Sequence, residues 1–292
     1  MPSVEPSSTT STSKGSAKSC AASASSVRPS VAAESRAGTI TLTLATPRDG
    51  IVGLVGEKLM RGFWEERAQE QPLYFIDNTL DYRRPDAERF FEHGEETLDR
   101  MLDSLGVAIE PKDTVLEIGC GAGRQTRAIA ARAAEVAALD ISERMLDLAR
   151  ELSPELPNVR WLLGDGTSLS PVPDRSVDAC VSYVVFQHLP DPELTLGYVR
   201  EIGRVLRPGG WAAFQVSNDF GALHRRRRGR EGLRIRLKAL VGRGPRGQAH
   251  PAWLGSPVRM DDLARAAGDG GMDIEHVEGA GSQLCFVLTR AR

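Results

Sequence analysis

The chain has 292 residues and a formal net charge of −2, and 41% of its residues are hydrophobic and 26% charged. A chain of this length can bury a full core, and a charge so near zero argues against a protein whose whole surface binds nucleic acid or anionic membranes. No apolar stretch approaches the roughly 18 residues of a membrane-spanning helix, so we expect no transmembrane segment.

The four cysteines lie far apart and form no C-x-x-C pair; they are Cys20, Cys120, Cys180 and Cys285. This spacing disfavours both a zinc site and a disulfide framework. We therefore expect no bound metal and a reducing, cytoplasmic location.

Residues 1–38 are rich in Ser, Thr and Ala and poor in large apolar side chains. Such a segment cannot bury enough surface to offset its ordering entropy, so we predict a disordered tail. The tail has no apolar core typical of a secretory signal. Residues 39–45 are either a short strand or the end of the tail.

An N-terminal helical region is predicted over residues 39–110, with helices at 56–69 and 85–105. Five aromatic residues lie in or between these helices: Phe63, Trp64, Tyr74, Phe75 and Tyr82. They could line a lid over an acceptor, or they could attach the helices to the rest of the fold. We favour the second interpretation.

From residue 111 onward, strands and helices alternate, which predicts an α/β domain with a parallel sheet and helices on both faces. The predicted strands are 114–118, 135–139, 159–163, 177–183, 210–216, 273–278 and 283–289. The predicted helices are 124–133, 143–152 with Ser142 as N-cap, 193–206 and 260–267. Only four residues separate the last two strands, so this pair must be antiparallel.

The sequence T-V-L-E-I-G-C-G-A-G at residues 114–123 predicts a buried strand that turns on glycines into a helix. Backbone N–H groups at such a turn are free to bind a ligand, and glycines let the ligand approach closely. Taken alone, the loop suits a dinucleotide, a phosphate or another nucleoside.

Two carboxylates are predicted at the ends of the next two strands. Asp140 ends the second strand and Asp165, followed by Gly166, ends the third. Both should lie at the same sheet edge as the glycine loop, where a carboxylate can accept both hydroxyls of a ribose.

Five segments in order, V-L-E-I-G-C-G-A-G, L-D-I-S, G-D-G, S-V-D-A-C-V-S-Y-V-V-F-Q-H-L and V-L-R-P-G-G, resemble the motifs of class I S-adenosylmethionine-dependent methyltransferases. The resemblance covers about residues 110–217. It implies a Rossmann-like, seven-stranded, mostly parallel sheet with an antiparallel C-terminal strand. It also implies a methyltransferase domain over residues 111–292 and S-adenosyl-L-methionine as the cofactor.

The resemblance also implies roles for the residues of the first motif. Gly119, Gly121 and Gly123 would line the methionyl part of the cofactor. Glu117 would orient its ammonium group, directly or through water. No chemistry is assigned to the turn V-L-R-P-G-G, which we interpret as structural.

The nucleoside part of the cofactor would be held by the next two motifs. Asp140 would bind the ribose hydroxyls, with Ile141 against the adenine. Asp165 would accept from the adenine amino group, and Gly166 would approach the ring.

The fourth-strand motif contains Ser182 and Tyr183, and the resemblance implies that these two residues flank the sulfonium. His188 comes shortly after them and is a candidate general base, because a neutral imidazole can take a proton from a hydroxyl or amine acceptor. A packing role for His188 is the alternative, and we favour it.

An insert predicted at about residues 218–258 is strongly basic, with ten Arg and Lys side chains and one acid between residues 224 and 246. Arginine clusters bind phosphate and carboxylate, and the interspersed apolar residues would also suit a helix at a membrane surface. A solvated face is the interpretation we favour. His224, which opens the cluster, is a weaker base candidate than His188.

The sequence therefore predicts a methyltransferase with a small-molecule acceptor, which could be anionic, glycosylated or lipid-linked. O-methylation is slightly favoured over N- or C-methylation. One alternative is an RNA or protein methyltransferase that uses the Arg-rich insert, although the acidic pI argues against nucleic acid. Another is a regulatory protein that binds the cofactor without catalysis. The sequence leaves the oligomeric state open.

Overall fold

The structure, a computed structural model, describes residues 47–221, 247 and 250–292. The predicted tail at 1–38, the segment 39–45 and the basic cluster at 224–246 with His224 lie outside the described residues. Those predictions are therefore not tested.

Helices α1 (Pro47–Glu70), α2 (Pro72–Ile76) and α3 (Ala87–Leu105) precede the first strand. Alternating elements follow: β1 (Thr114–Ile118), α4 (Thr126–Ala130), β2 (Glu135–Asp140), α5 (Glu143–Leu152), β3 (Val159–Leu163), β4 (Val177–Ser182), α6 (Pro192–Val205) and β5 (Leu206–Val216). The chain ends with α7 (Pro251–Leu254), α8 (Met260–Asp269), β6 (Met272–Glu278) and β7 (Cys285–Ala291). One turn of 3₁₀-helix, Phe186–His188, follows β4.

The described residues form a seven-stranded sheet in the order β3-β2-β1-β4-β5-β7-β6. Strands β1 to β5 pair in parallel, and β7 is antiparallel to both β5 and β6. This confirms the predicted fold class and the antiparallel pairing of the last two strands. The strand order reverses between β1 and β4, and in open α/β sheets ligands bind at the carboxyl ends of the strands at this point.

Alternate residues of each central strand face opposite helical layers. Val115, Val136 and Ala138 pack in a cluster with α3 and α4. The intervening Leu116 and Ala137 pack in a second cluster with α6 and α8. Burial on both faces explains why the strands are continuous apolar runs.

Polar caps set the helix boundaries. The Asp86 carboxylate accepts from two backbone N–H groups at the start of α3, and Gly106 ends that helix in the left-handed conformation. Ser142 caps α5, as predicted, by accepting from Met145 N. Asp191 caps α6.

Several element boundaries were predicted wrongly. Helix α1 begins at residue 47 and not 56, and α2 was not predicted as a helix. Strand β5 begins at Leu206 and not at 210, because Leu206 already pairs with Val177 before an irregularity in the register. The segment read as a turn is therefore a bulged strand start, with Gly209 at a positive φ of 79°. Helix α4 is shorter than predicted, and β7 runs two residues further.

Helices α1 to α3 belong to the same compact unit as the sheet, Ala45–Arg292. The predicted division into a cap region before residue 110 and a methyltransferase domain after it stays a prediction about function. Within residues 47–221 and 250–292, no helix has the length and apolar character needed to span a membrane.

Hydrogen bonds join the two ends of the insert to each other and to the end of β5. Val258 N donates to Ser217 O at 2.9 Å, and Asn218 Nδ2 donates to Val258 O at 2.7 Å. Asn218 N in turn donates to Ser282 O in the loop before β7. The two ends of the insert are thus held together beside the sheet edge.

Gly94 allows α3 to lie directly on the glycine loop. A Cβ at this position would be 1.9 Å from the carbonyl oxygen of Arg124. We expect Gly94→Ala to lower the free energy of unfolding by about 1–3 kcal/mol, because the backbone must shift to admit the methyl group. Urea denaturation measures the change.

The matched control is Gly197→Ala in α6, where a Cβ would meet nothing within 4 Å. Alanine there should leave stability unchanged or raise it by up to about 1 kcal/mol, through its higher helix propensity. Equal effects of the two substitutions would contradict this account of Gly94.

Candidate functional site

A cavity lies at the carboxyl ends of β1, β2 and β4. Its floor is the glycine loop after β1, and residues of α1 and α2 cover it. Eight of the predicted site residues line it: Glu117, Gly119, Gly121, Asp140, Ile141, Gly166, Tyr183 and His188. The sequence motifs therefore meet in one place, at the point where the strand order reverses.

Hydrogen bonds join the glycine loop to the end of β2. Gly119 N and Cys120 N donate to Leu139 O at 2.7 and 3.1 Å, and Gly121 N donates to the Asp140 carboxylate at 2.8 Å. All three glycines of the motif have positive φ, between 54° and 82°. Only glycine adopts such conformations without strain, which explains the G-x-G-x-G spacing.

Neighbouring side chains also leave no room for a Cβ at the two glycines of the cavity. At Gly119 a Cβ would be 2.3 Å from the Val185 side chain, and at Gly121 it would be 2.8 Å from Ile76. Gly123 does not line the cavity; it turns the chain toward α4, with Gly123 N donating to Cys120 O.

Asp140 is buried, with 9% of its surface exposed. Its carboxylate accepts from Gly121 N and from Ser142 N. Burial raises its pKa, while these backbone hydrogen bonds favour the charged form. The carboxylate thus fixes the loop geometry and also faces the cavity.

Glu117 is more deeply buried, with 4% of its surface exposed. Thr126 Oγ1 donates to its Oε2 at 2.5 Å. Burial raises the pKa of Glu117 to about 7, and the Thr126 hydrogen bond and the Arg124 charge only partly oppose that rise. A ligand cation at this carboxylate would supply the missing countercharge.

Asp165 and Ser182 do not line the cavity in this structure. The Asp165 carboxylate accepts from the backbone and side chains of both Thr167 and Ser168. Burial opposes the charged form of Asp165, but these hydrogen bonds lower its pKa overall. Ser182 is buried and donates to Ile118 O at 3.2 Å. The roles given to these two residues by resemblance stay predictions.

Tyr183 and Val184 form the cavity wall after β4. The Tyr183 ring stacks on Phe286, with ring centroids 6.1 Å apart. Val184 has a φ of +59°, which is strained for a β-branched residue. Its N–H donates to Gln215 Oε1 at 3.1 Å, and this bond to β5 holds the strained turn.

His188 lines the cavity and is held by its neighbours. Its Nδ1 lies 2.9 Å from the Trp253 carbonyl oxygen, which places the proton on Nδ1. Its Nε2 lies 3.2 Å from Gln187 Nε2, which can donate to it. The ring also packs edge-on against Trp64. His188 therefore has the packing contacts that we favoured, and in this arrangement its Nε2 lone pair accepts from Gln187.

The N-terminal aromatic residues all have the packing contacts that we favoured. Phe63 is buried and stacks on His250, while Tyr74 and Tyr82 pack against each other. Trp64 and Phe75 both pack against Trp253, and these two also line the cavity. A lid over an acceptor stays a prediction.

The cavity is also lined by Arg124, Gln125 and Met145, which were not among the predicted site residues. Arg124 directly follows the third glycine, and only 8% of its surface is exposed. A charged residue within a stretch of small and apolar residues was the available signal. The described residues contain no group of three or more His, Cys, Asp or Glu side chains suited to a metal ion.

A family model described as a methyltransferase domain matches residues 116–214. The demethylmenaquinone methyltransferase of Tropheryma whipplei is 36% identical over 98 residues, which cover 34% of this chain and 39% of that protein. The ubiquinone biosynthesis O-methyltransferase of Methylococcus capsulatus is 29% identical over 173 residues, which cover 57% and 65%. The match thus spans less than two thirds of either relative.

Among solved structures, the phosphoethanolamine N-methyltransferase 1 of Haemonchus contortus, in complex with phosphoethanolamine and S-adenosylhomocysteine, has the same fold. It superimposes with a TM-score of 0.53 and 16% identity, covering 82% of this chain and 49% of that one. The family match lies on the strands and loops that form the cavity. Residues 116–214 of this chain therefore match a methyltransferase domain, in a fold that the chain shares with a solved methyltransferase.

Proposed function

We propose that this protein transfers a methyl group from S-adenosyl-L-methionine to a small-molecule acceptor, with a hydroxyl oxygen as the favoured acceptor atom. The observation that carries the proposal is the cavity itself. It joins the glycine loop, Glu117 and Asp140 under a lid formed by Trp64 and Phe75.

The chemistry of the lining residues fits the cofactor. Asp140 offers a carboxylate to the ribose hydroxyls, and Ile141 offers an apolar surface to the adenine. Glu117, whose pKa is about 7 even with the Arg124 charge nearby, suits the methionyl ammonium group. Gly119 and Gly121 line the cavity with backbone atoms alone, and a Cβ at either position would meet Val185 or Ile76.

When bound, S-adenosylmethionine supplies a methyl group that is already activated by the sulfonium charge. The protein then has mainly to position the acceptor and exclude water. Trp64 and Phe75 cover the cavity, and Tyr198 contributes to its inner wall. We propose that His188 Nε2 takes the proton of a hydroxyl acceptor after Gln187 rotates away.

The aromatic lining of the cavity supports a small acceptor, and so do the names of the two relatives, a demethylmenaquinone methyltransferase and a ubiquinone biosynthesis O-methyltransferase. The name of the Methylococcus capsulatus relative also supports O-methylation. An anionic or glycosylated acceptor and a cytoplasmic location stay predictions. Peripheral membrane contact and the RNA or protein alternative depend on residues 224–246, outside the described residues.

The first test is cofactor binding by calorimetry with S-adenosylhomocysteine. Asp140→Ala should weaken the affinity at least about tenfold, because hydrogen bonds to a charged group contribute about 1.5–3 kcal/mol each. Asp147→Ala, an exposed carboxylate on α5, is the control and should bind normally. Unaltered affinity in Asp140→Ala would refute ribose binding by Asp140.

The second test is transfer. Protein incubated with methyl-labelled cofactor and pooled cell extract should move label into small molecules, and mass spectrometry of the labelled fraction then identifies the acceptor. Label in RNA or protein would favour the alternative acceptor classes. Cofactor binding without any transfer would favour a non-catalytic regulatory protein.

The raised pKa of Glu117 predicts that cofactor binding depends on pH. Above its pKa of about 7 Glu117 is ionised and binds the ammonium group, and this contribution is lost as the pH falls through 7. S-adenosylhomocysteine should therefore bind roughly tenfold more weakly at pH 6 than at pH 8.

Methylthioadenosine, which has no ammonium group, provides the control and should show little of this dependence. Glu117→Gln should remove the difference between the two ligands' pH profiles. Equal pH profiles for both ligands in the wild type would show that Glu117 does not bind the ammonium group.

His188→Asn tests the proposed base. Turnover on a hydroxyl acceptor should fall about 10²–10⁴-fold, because proton removal loses its acceptor. S-adenosylhomocysteine affinity should stay unchanged. His276→Asn, at an exposed position on β6, is the matched control. If His188→Asn keeps the wild-type turnover, His188 is not the base and has only a packing role.

A further inference from the structure

Arg124 is a buried cation at the floor of the cavity. It directly follows the third glycine of the loop, lines the cavity and exposes 8% of its surface. Within the described residues its guanidinium makes no hydrogen bond, and its one ion pair is long, at 3.7 Å from Nη1 to Asp77 Oδ2. A guanidinium carries five N–H donors, and those of Arg124 are not sealed in the protein interior but open onto the cavity.

Asp77 cannot supply the missing hydrogen bonds in its observed position. Its Oδ1 accepts from Thr79 N and Thr79 Oγ1, at 3.1 and 2.6 Å. Its Oδ2 accepts from His93 Nδ1 at 2.8 Å. Burial opposes the charge of Asp77, but these bonds and the nearby Arg124 lower its pKa overall, so it stays ionised. Asp77 therefore attracts Arg124 without saturating it.

The other neighbours fix the guanidinium without hydrogen-bonding to it. It lies over the Tyr183 ring, with its central carbon 5.3 Å from the ring centroid. Gly94 lies directly under its stem, where a Cβ would be 2.9 Å from Arg124 Cγ. Glu117 also acts on Arg124 electrostatically from the cavity.

A largely buried cation whose donors open onto a cavity and make no hydrogen bond to the described residues suits an anionic ligand group. The planar fork of arginine matches a carboxylate in a bidentate manner. The carboxylates of Asp77 and Glu117 already attract Arg124, and both would repel an incoming anion. This repulsion disfavours a doubly charged phosphate more than a singly charged group. A singly charged carboxylate is therefore the ligand group that fits.

We propose that Arg124 is a carboxylate-binding residue of the cavity and that Asp77 is its positioning residue. The inference rests on the proposed function. The carboxylate belongs either to the methionyl end of the cofactor, whose ammonium group Glu117 would hold, or to an acidic acceptor. These sources share one chemistry and are separated by the choice of ligand.

The first arm compares S-adenosylhomocysteine, which has the carboxylate, with methylthioadenosine, which lacks the amino-acid end. Arg124→Gln should weaken S-adenosylhomocysteine binding at least tenfold and leave methylthioadenosine binding unchanged if the cofactor supplies the carboxylate. Arg132→Gln is the control: this arginine pairs with Asp99 and Glu95 and does not line the cavity.

The second arm uses protein saturated with S-adenosylhomocysteine and measures the melting temperature with hexanoate or with the neutral hexanamide. If the acceptor supplies the carboxylate, hexanoate should raise the melting temperature of the wild type more than hexanamide does. Arg124→Gln should remove that difference while its S-adenosylhomocysteine affinity stays normal.

Two further variants separate recognition from folding. Arg124→Lys keeps the positive charge but loses the planar guanidinium. It should weaken binding of the carboxylate ligand less than Arg124→Gln does. Asp77→Asn should lower the preference for S-adenosylhomocysteine over methylthioadenosine, or for hexanoate over hexanamide. A purely structural role for either residue would leave these preferences unchanged, because both ligands of a pair would weaken together.

The inference is overturned if Arg124→Gln and Arg124→Lys keep the wild-type preference in both arms. A wild type that binds neither nucleoside would overturn the proposed function and this inference with it. If the wild type binds both nucleosides but substitution of Arg124 changes neither ligand preference, the inference is overturned and the proposed function is not.

Discussion

The close packing around the glycine loop is the constraint on which the rest of the site depends. Backbone or side-chain atoms stand where a Cβ would be at Gly94, Gly119 and Gly121, and the loop N–H groups are fastened to β2. Helix α3, helix α2 and the turn after β4 therefore all pack on the same few backbone atoms. Because protein interiors are close-packed, a shift in one of these elements displaces the others.

The same packing sets the electrostatics of the cavity. Glu117, Asp140 and Arg124 are each less than one tenth exposed, so their charges are poorly screened by water. None of the three has a close ion-pair partner among the described residues. The charges are balanced only loosely, and a ligand that carries both an ammonium and a carboxylate group would complete them. Under both proposals, the site therefore favours such a ligand over neutral ligands of similar shape.

The sequence predicted the sheet, its antiparallel end and eight of the residues that line the cavity, because apolar runs and glycines reflect local backbone requirements. It did not predict α2, whose five residues are held by burial of Leu73 and Phe75 rather than by helix propensity. It also missed Arg124, because its significance comes from Asp77, Gly94 and Tyr183, which lie far away in the chain. Asp165 shows the converse: its motif is present, yet local donors at Thr167 and Ser168 occupy its carboxylate.

The hydrogen bonds that join Ser217 and Asn218 to Val258 also have a consequence for the cavity. They hold the described end of the insert, residues 250–258, at the sheet edge. In this segment the Trp253 carbonyl oxygen lies 2.9 Å from His188 Nδ1, and Ser256 Oγ donates to Leu189 O. The position of His188 in the cavity wall therefore depends on how the chain returns to the sheet after the insert.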